Sequence, residues 1–257
     1  MRALAALALA LIACGRPAPA PTPVTVAPVV VAPVDAAVDA APPLVLSRIA
    51  VVGASVSAGF TAPRIAEAMR AAGTSEVIDA ADLWMFRDPD GNGAAQIATA
   101  AAAKPSLVVA LDFLFWFAYQ PSDRAASLER GLTLLATLDG PLAVGDLADM
   151  RGADPRMLPP TSVPPADELA AMNARIAAWA AARPHTVVLP LAAWTAPLLA
   201  GAEVELAPGE RIAASSLLFL DGLHPNPLGL WYLLGQLDGA LERGFGIDAQ
   251  ALVFARP

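Results

Sequence analysis

Short apolar segments alternate with amphipathic segments between residues 48 and 243, and this alternation restricts the folds open to the chain. The predicted strands lie at 48–52, 76–80, 106–111, 142–145 and 186–189. The predicted helices lie at 63–72, 93–103, 123–137, 167–183 and 227–243. Strands separated by helices form βαβ units, whose right-handed crossovers place helices on both faces of a parallel sheet. We therefore expect an α/β fold, a three-layer α/β/α sandwich with a mainly parallel sheet.

The first residues have the pattern of an export signal. Residues 1–13 combine a charged start with a short apolar stretch, and they end just before Cys14. Cys14 is the only cysteine of the chain, so it cannot form an intramolecular disulfide. The segment resembles a bacterial lipoprotein signal, which implies a lipid on Cys14 and a location in the cell envelope, with the membrane as a partner. An ordinary secretory signal with an incidental cysteine is the alternative.

Residues 14–43 are rich in proline, alanine, valine and threonine. Proline lacks an amide donor and fixes φ, so this composition favours extended polyproline II over a packed element. We interpret the segment as a linker, although a leader without a spacing role fits equally well. Residues 44–257 show no shift of composition that would divide them, which predicts one folded domain.

Charge and hydropathy exclude two broad classes: proteins that bind nucleic acid, and proteins with a membrane-spanning helix beyond the N-terminus. Acidic side chains outnumber basic ones by 24 to 16, and the formal charge of −8 repels the phosphate backbone of a nucleic acid. Nucleic acid is therefore not an expected partner. Beyond the N-terminus, no apolar run reaches the roughly 18 residues that a membrane-spanning helix needs.

A carboxylate and an imidazole stand three residues apart in the segment from Asp221 to Pro225. A carboxylate beside His224 would fix the tautomer of the imidazole and stabilise its protonated form, as in a hydrolytic triad. Ser55 is the candidate nucleophile, with Ser57 as a rival, because the first predicted strand breaks just before it. A capped helix start is the structural alternative for the segment, since Asn226 precedes a proline, and both interpretations are compatible.

The order of the predicted strands gives a test of position. In a parallel sheet, functional groups gather at the carboxyl ends of the strands. The residues expected at this edge are Ser55, Gly93, Asp112, Asp146 and Asp149. His185 comes directly before the fifth predicted strand, so we expect it at the opposite edge in a structural or solvated role.

Three blocks of the domain resemble the SGNH (GDSL-type) hydrolase family of esterases and lipases. Residues 53–59 are similar to its first block, with Ala54 in place of an aspartate, and the Asp221–His224 segment matches its last block. Gly93 falls where the family has its second-block glycine. The resemblance implies the same sandwich fold and a catalytic Ser55.

The resemblance also implies a mechanism and a substrate class. His224 would take the proton of Ser55, the serine would attack an ester carbonyl, and Asp221 would orient the imidazole. The expected activity is hydrolysis of a small acyl ester, such as an O-acetyl group on a glycan or a short-chain lipid ester, by a monomer without a cofactor. A non-catalytic glycan- or lipid-binding module and an O-acyltransferase with the same triad are the alternatives.

The third block departs from the family pattern. The family has an asparagine that donates to the oxyanion, whereas this chain has Asp112, and an ionised carboxylate only accepts hydrogen bonds. Loss of one such donor typically costs about 10²- to 10³-fold in rate. The expected oxyanion donors are the amides of Ser55 and Gly93, and the side chain of Asn92 or Trp116 is left open as a third.

Three further predictions concern the surroundings of the site. Asp112, Phe113 and Trp116 are expected to line an acyl pocket. Asp146 and Asp149 are assigned to shaping a loop and not to a metal, because two carboxylates without a histidine make a poor transition-metal site. The proline-rich loop 145–165 is expected to cover the active-site edge, since long loops are often functional.

Overall fold

The computed structural model describes residues 43–73, 75–120, 122–248 and 251–257. The predicted signal segment 1–13, Cys14 and nearly all of the linker 14–43 lie outside the described residues. No helix in the described ranges combines the length and the hydropathy needed to cross a bilayer.

Five parallel strands form the central sheet, in the order β2-β1-β3-β4-β5. They are β1 (Arg48–Val51), β2 (Glu76–Asp79), β3 (Leu107–Ala110), β4 (Leu142–Gly145) and β5 (Thr186–Leu189). The inner strands β3 and β4 are buried at every position, which explains their uninterrupted apolar sequence. Each strand lies within one or two residues of its predicted bounds.

In the described ranges, seven α-helices surround the sheet. They are α1 (Ile65–Ala72), α2 (Pro89–Ala103), α3 (Phe115–Ala118), α4 (Arg124–Ala136), α5 (Ala166–Ala181), α6 (Leu191–Leu199) and α7 (Pro227–Phe245). Alternate side chains of β1 enter two separate apolar cores: Ala50 packs with α2 to α5, and Ile49 packs with α1, α6 and α7. The three-layer α/β/α sandwich predicted from the sequence is confirmed.

Helix α2 begins earlier than predicted, at Pro89 instead of residue 93. The side chain of Asp88 caps it by accepting from the amide of Gly91 at 2.9 Å, and a proline suits the first helical position. Residues 91 and 92, which precede the predicted helix 93–103, are therefore part of α2.

The segment after β5 also differs from the prediction. It contains α6, an antiparallel hairpin of β6 (Glu203–Ala207) and β7 (Glu210–Ala213), and a 3₁₀ turn at Ala214–Leu217. Pro197 lies inside α6, and a proline at an interior position counts against a helix even where apolar spacing favours one. The amide of Ala192 in its first turn donates to Asp146 at 2.8 Å, so part of its capping comes from a residue far away in the sequence.

Candidate active site

The Asp221–His224 turn is organised by one carboxylate. Oδ1 of Asp221 accepts from the amides of Leu223 at 2.9 Å and His224 at 3.0 Å, and Oδ2 lies 2.8 Å from Nδ1 of the imidazole. An antiparallel bridge between Leu218 and Pro225 closes the turn at its base. The same side chain thus shapes the turn and orients the histidine.

The charge of Asp221 decides how the imidazole is protonated. Burial alone would raise the pKa of this carboxyl, but the amides of His224 and Leu223 and the imidazole outweigh burial and lower the pKa. An ionised carboxylate can only accept, so Nδ1 carries a proton and Nε2 is left as an acceptor.

Helix α7 begins directly behind this turn. The side chain of Asn226 accepts from the amide of Gly229 at 2.9 Å and donates to the carbonyl of Ser216 at 2.7 Å, and Pro227 occupies the first helical position. The predicted cap is confirmed. It fixes the chain two residues after His224, so capping and presentation of the imidazole occur together.

Ser55 lies in the turn after β1, at the carboxyl edge of the sheet. Its hydroxyl lies 2.9 Å from Nε2 of His224, which completes the chain from serine through imidazole to Asp221. His224 is almost fully buried, and the ring of Phe60 packs on it with centroids 4.4 Å apart. The structure therefore brings together all three residues predicted to be catalytic.

Ser57, the rival nucleophile, points elsewhere. It is fully buried, and its hydroxyl donates to Oδ1 of Asp112 at 2.6 Å. It therefore has no access to a substrate, and the geometry favours Ser55.

Asp112 holds the turn that carries the two serines. Its carboxylate accepts from the amides of Ala54 at 3.0 Å, Val56 at 2.8 Å and Ser57 at 3.4 Å, besides the hydroxyl of Ser57. A Cβ at position 53 would lie 2.2 Å from Oδ1, so only glycine permits this approach. Asp112 is thus committed to the backbone of the turn and cannot donate to an oxyanion.

The two expected oxyanion donors differ in whether their amides are available. In the described part of the chain, the amide of Ser55 donates no hydrogen bond and is free to bind an oxyanion. Gly93 lies in the second turn of α2, where amides donate within the helix, and a Cβ there would approach Phe113 and Phe117 at 3.2–3.3 Å. Its assignment as an oxyanion donor is wrong: the glycine permits close packing of helices.

The two open candidates for a third donor have other surroundings. The side-chain amide of Asn92 donates to the carbonyl of Trp84 at 3.0 Å and so supports the 3₁₀ turn Leu83–Phe86. The indole of Trp116 packs between Phe86 and Phe115, and its buried N–H has no partner among the described residues.

An apolar pocket opens beside Ser55 and His224. Its walls come from the 3₁₀ turn Ala214–Leu217, from the starts of β6 and α7, and from α6 through Leu191, Trp194 and Leu198. Asp112 contributes to the lining as predicted, but Phe113 lies in the main core and Trp116 lies outside the pocket. Residues 191, 194 and 198 follow helical spacing, a signal that would have indicated this wall.

The loop 145–165 contacts the catalytic turn. Ala148 and Met150 line the pocket, and the amide of Asp154 donates to the carbonyl of Asp221 at 2.7 Å. The carboxylate of Asp146 holds the start of α6, while Asp149 pairs with the neighbouring Arg151 at 2.8 Å. Both acidic residues at 146 and 149 thus shape loops.

No cluster of three or more metal-ligating side chains occurs in the described ranges.

The second histidine lies away from the candidate site. His185 is exposed at the amino end of β5, and its carbonyl accepts from the amide of Leu142 at 2.9 Å. It lies at the opposite edge of the sheet, as predicted.

No protein-family model matches the chain, and no curated protein sequence matches it. Solved structures do. The lipase/acylhydrolase from Enterococcus faecalis matches with a TM-score of 0.54 and 17% identity, over 78% of this chain and 96% of its own. A protein from Slackia heliotrinireducens described as an SGNH hydrolase has a TM-score of 0.49 at 20% identity, covering 76% of this chain and 99% of its own. TesA has a TM-score of 0.48 at 17% identity, covering 77% and 99%.

The likeness to the Enterococcus protein concerns the fold. The chain has the α/β/α sandwich that the sequence motifs imply for an SGNH-type hydrolase, and that implication is confirmed.

Proposed function

We propose that this protein is a serine ester hydrolase that works through Ser55, His224 and Asp221. The observation that carries the proposal is the unbroken contact chain at the sheet edge, with 2.9 Å between Ser55 Oγ and Nε2 and 2.8 Å between Nδ1 and Asp221. A buried imidazole between an ionised carboxylate and a hydroxyl is suited to general base catalysis.

The geometry supports a two-step reaction. In the first step, Nε2 of His224 takes the proton of Ser55 as Oγ attacks the ester carbonyl, and the same proton then goes to the departing alcohol. In the second step, water attacks the acyl-serine carbonyl as His224 takes its proton, the bond between the acyl group and Oγ breaks to release the carboxylic acid, and the proton returns to Oγ of Ser55. The amide of Ser55 is the available donor for the oxyanion in both steps.

The substrate we propose is a small acyl ester, either an O-acetyl group on a glycan or a short-chain lipid ester. The apolar lining next to Ser55 supports the lipid-like ester over a glycan, because sugar hydroxyls would lose hydrogen bonds to water there.

Probe labelling tests the nucleophile. A fluorophosphonate probe should label the purified protein and turnover of p-nitrophenyl butyrate should be measurable, while Ser55→Ala and His224→Ala should abolish both. Ser57→Ala is the matched control and should retain labelling. Labelling that survives Ser55→Ala would overturn the assignment.

The same experiment separates the alternatives. Turnover that appears only with an added acceptor alcohol would indicate an O-acyltransferase. A folded protein with neither labelling nor turnover would indicate a binding module, which the missing asparagine at position 112 favours.

We further propose that Cys14 carries a lipid that anchors the protein in a bacterial cell envelope. The support is the sequence of residues 1–14 alone. Labelled palmitate should enter the protein, and Cys14→Ser should abolish the label and move the protein from the membrane fraction to the soluble fraction. Equal labelling of both forms would contradict the anchor.

A further inference from the structure

After Ser55 the chain turns back and places Phe60 on His224. The amide of Phe60 donates to the carbonyl of Ser55 at 2.8 Å, so the backbone ties these two residues together. The ring of Phe60 packs on the imidazole of His224, with centroids 4.4 Å apart and an angle of 52° between the planes. Phe60 is thus in contact with both residues between which the proton would move.

The ring of Phe60 also covers the imidazole. His224 is 4% exposed, whereas Phe60 itself is 37% exposed, so the phenyl ring lies between the imidazole and the solvent. Hydrogen bonds shielded from water are electrostatically stronger than hydrogen bonds in water. The contacts of the imidazole with Asp221 and Ser55 are therefore strengthened by this cover.

The next residue, Thr61, has an unfavourable backbone conformation. Its φ of 67° lies in the left-handed region, which a β-branched residue rarely adopts. The hydroxyl of Thr61 donates to the carbonyl of Phe60 at 2.5 Å and lies 3.3 Å from the carbonyl of Pro225, the residue after His224. Strained backbone persists where the surrounding structure fixes it, and it is concentrated at active sites. The strain supports a functional role for this segment independently of the ring contact.

We propose that two residues, Phe60 and Thr61, position the imidazole of His224 relative to the nucleophile, an inference that rests on the proposed ester hydrolysis. Asp221 orients the imidazole within its own turn, and the turn of Ser55 has a separate anchor. Phe60 and Thr61 make contacts between the two turns, so they set the 2.9 Å separation of Oγ and Nε2. A displacement of about 1 Å between reacting groups can cost about 10²-fold in rate.

Substitutions at position 60 test the ring contact in the purified protein, with p-nitrophenyl butyrate as substrate. Phe60→Ala should lower kcat by about 10²-fold with little change in KM, because the ring positions the base and is not part of the pocket lining. Phe60→Tyr keeps the aromatic face and should retain most of the activity. Phe86→Ala is the matched control, since Phe86 is 44% exposed and lies outside the pocket.

Circular dichroism shows whether the alanine variant is folded. If it is not, Phe60→Leu takes its place, because leucine keeps apolar volume without an aromatic ring, and kcat should still fall by about tenfold. A kcat equal to that of the wild type in the folded variant would overturn the role of Phe60.

Thr61→Gly separates positioning from stability. Glycine adopts a positive φ without strain, so the melting temperature should change little. The value of kcat should nevertheless fall by about tenfold, because the hydroxyl is lost and the segment gains conformational freedom. Lys104→Gly is the control, since Lys104 ends α2 with a φ of 48°, and it should change neither quantity. An unchanged kcat in Thr61→Gly would overturn the role of Thr61.

Proton NMR tests the contact without turnover. The proton between Nδ1 of His224 and Asp221 should give a signal far downfield at low temperature. Phe60→Ala should broaden this signal through faster exchange with water, and Phe86→Ala should leave it unchanged. This dependence on Phe60 in a protein that hydrolyses no ester would refute the hydrolase and leave the positioning intact. An active enzyme in which Phe60→Ala changes neither kcat nor the signal would refute the positioning alone.

Discussion

The carboxylate of Asp112 supports the turn that carries Ser55, although Asp112 is distant from that turn in the sequence. It reaches across from the end of β3 and binds three amides and one hydroxyl of the turn after β1. Only 8% of the residue is exposed, so no solvent competes strongly for these bonds. The loss of an oxyanion donor at this position therefore coincides with a gain of support for Ser55.

Replacing Asp112 by asparagine tests this role. An amide presents an NH₂ group where two backbone amides now donate, so the turn should shift and kcat should fall by about 10²-fold with little change in KM. The free energy of unfolding should fall by about 2 kcal/mol in denaturant titrations, since buried donors lose their acceptor. Asp149→Asn is the control on a neighbouring loop. A higher kcat would mean instead that the asparagine restores an oxyanion donor.

Asp221 acts through the orientation of the imidazole. Asp221→Asn would let the side chain donate to Nδ1, so that Nε2 carries the proton and cannot accept from Ser55. We expect kcat to fall by about 10⁴-fold, measured with p-nitrophenyl butyrate under saturating conditions. KM should change little, because the pocket is untouched. A loss of less than tenfold would show that another group orients His224.

At the level of single elements, helix α7 carries a charge that destabilises the folded state, that of the Asp238 carboxylate. Burial, with a contribution from Glu242 one turn away, raises the pKa of Asp238 to about 6, from an ordinary value of 3.8. Its Oδ1 is buried and has no hydrogen-bond partner in the described part of the chain. Because the folded state binds this proton more tightly than the unfolded state, stability falls as the pH rises from about 4 to about 6.

Asp238→Asn should therefore stabilise the protein above pH 6 and have little effect near pH 4. The expected gain at pH 7 is about 1 kcal/mol, allowing for screening of a partly exposed group. Urea titrations at pH 4 and pH 7 measure it, with Asp139→Asn at an exposed position as a control for lost surface charge. Equal effects at both pH values would contradict this explanation.

Elements with a local sequence signal could be predicted, whereas elements that depend on distant residues could not. The strands were predictable because parallel strands buried on both faces are continuous apolar runs. The start of α2 was predicted at residue 93 instead of Pro89, because glycines such as Gly91 are poor helix formers, although Asp88 followed by Pro89 is a cap and first-turn pair. The start of α6 depends on Asp146, 46 residues away, so no local pattern contains it.

Asp146→Ala should loosen α6 and with it one wall of the pocket. The amide of Ala192 would lose its acceptor, and loss of such a capping bond costs about 1 kcal/mol of stability. Thermal unfolding measures that loss. Hydrolysis of p-nitrophenyl butyrate should decrease as well, because Leu191 and Trp194 of α6 line the pocket. Unchanged hydrolysis would show that α6 has no part in substrate binding.

At the level of the whole molecule, the site joins distant parts of one chain. Ser55 and His224 are separated by 169 residues, yet strand order and helix capping bring them to the same edge. The position of Ser55 was predictable from strand order, and the contact of Asp221 with His224 was predictable from their three-residue spacing. The pocket was not, because its wall depends on tertiary packing of a small hairpin.

The two apolar cores and the small hairpin core should differ in stability. The hairpin core contains few buried side chains, so it should open more readily than the sheet. In hydrogen exchange, amides of β6 and β7 should exchange faster than those of β3 and β4. A phosphonate bound to Ser55 should slow exchange in the hairpin, because residues of the hairpin core line the pocket beside this serine. Unchanged exchange of these amides would show that the hairpin does not respond to a ligand on Ser55.

The three hydrogen bonds that fix the Asp221–His224 turn have a consequence for how the proposed hydrolysis would fail. Asp221 and His224 are three residues apart, and the carboxylate accepts three hydrogen bonds that hold the turn as one rigid body. Ser55 stands on a different turn with its own anchor. Thermal motion and remote substitutions therefore affect reactivity through one distance, that between Oγ of Ser55 and Nε2 of His224. Damage anywhere in the fold should thus appear first as a slower attack on the ester, well before the imidazole loses its orientation.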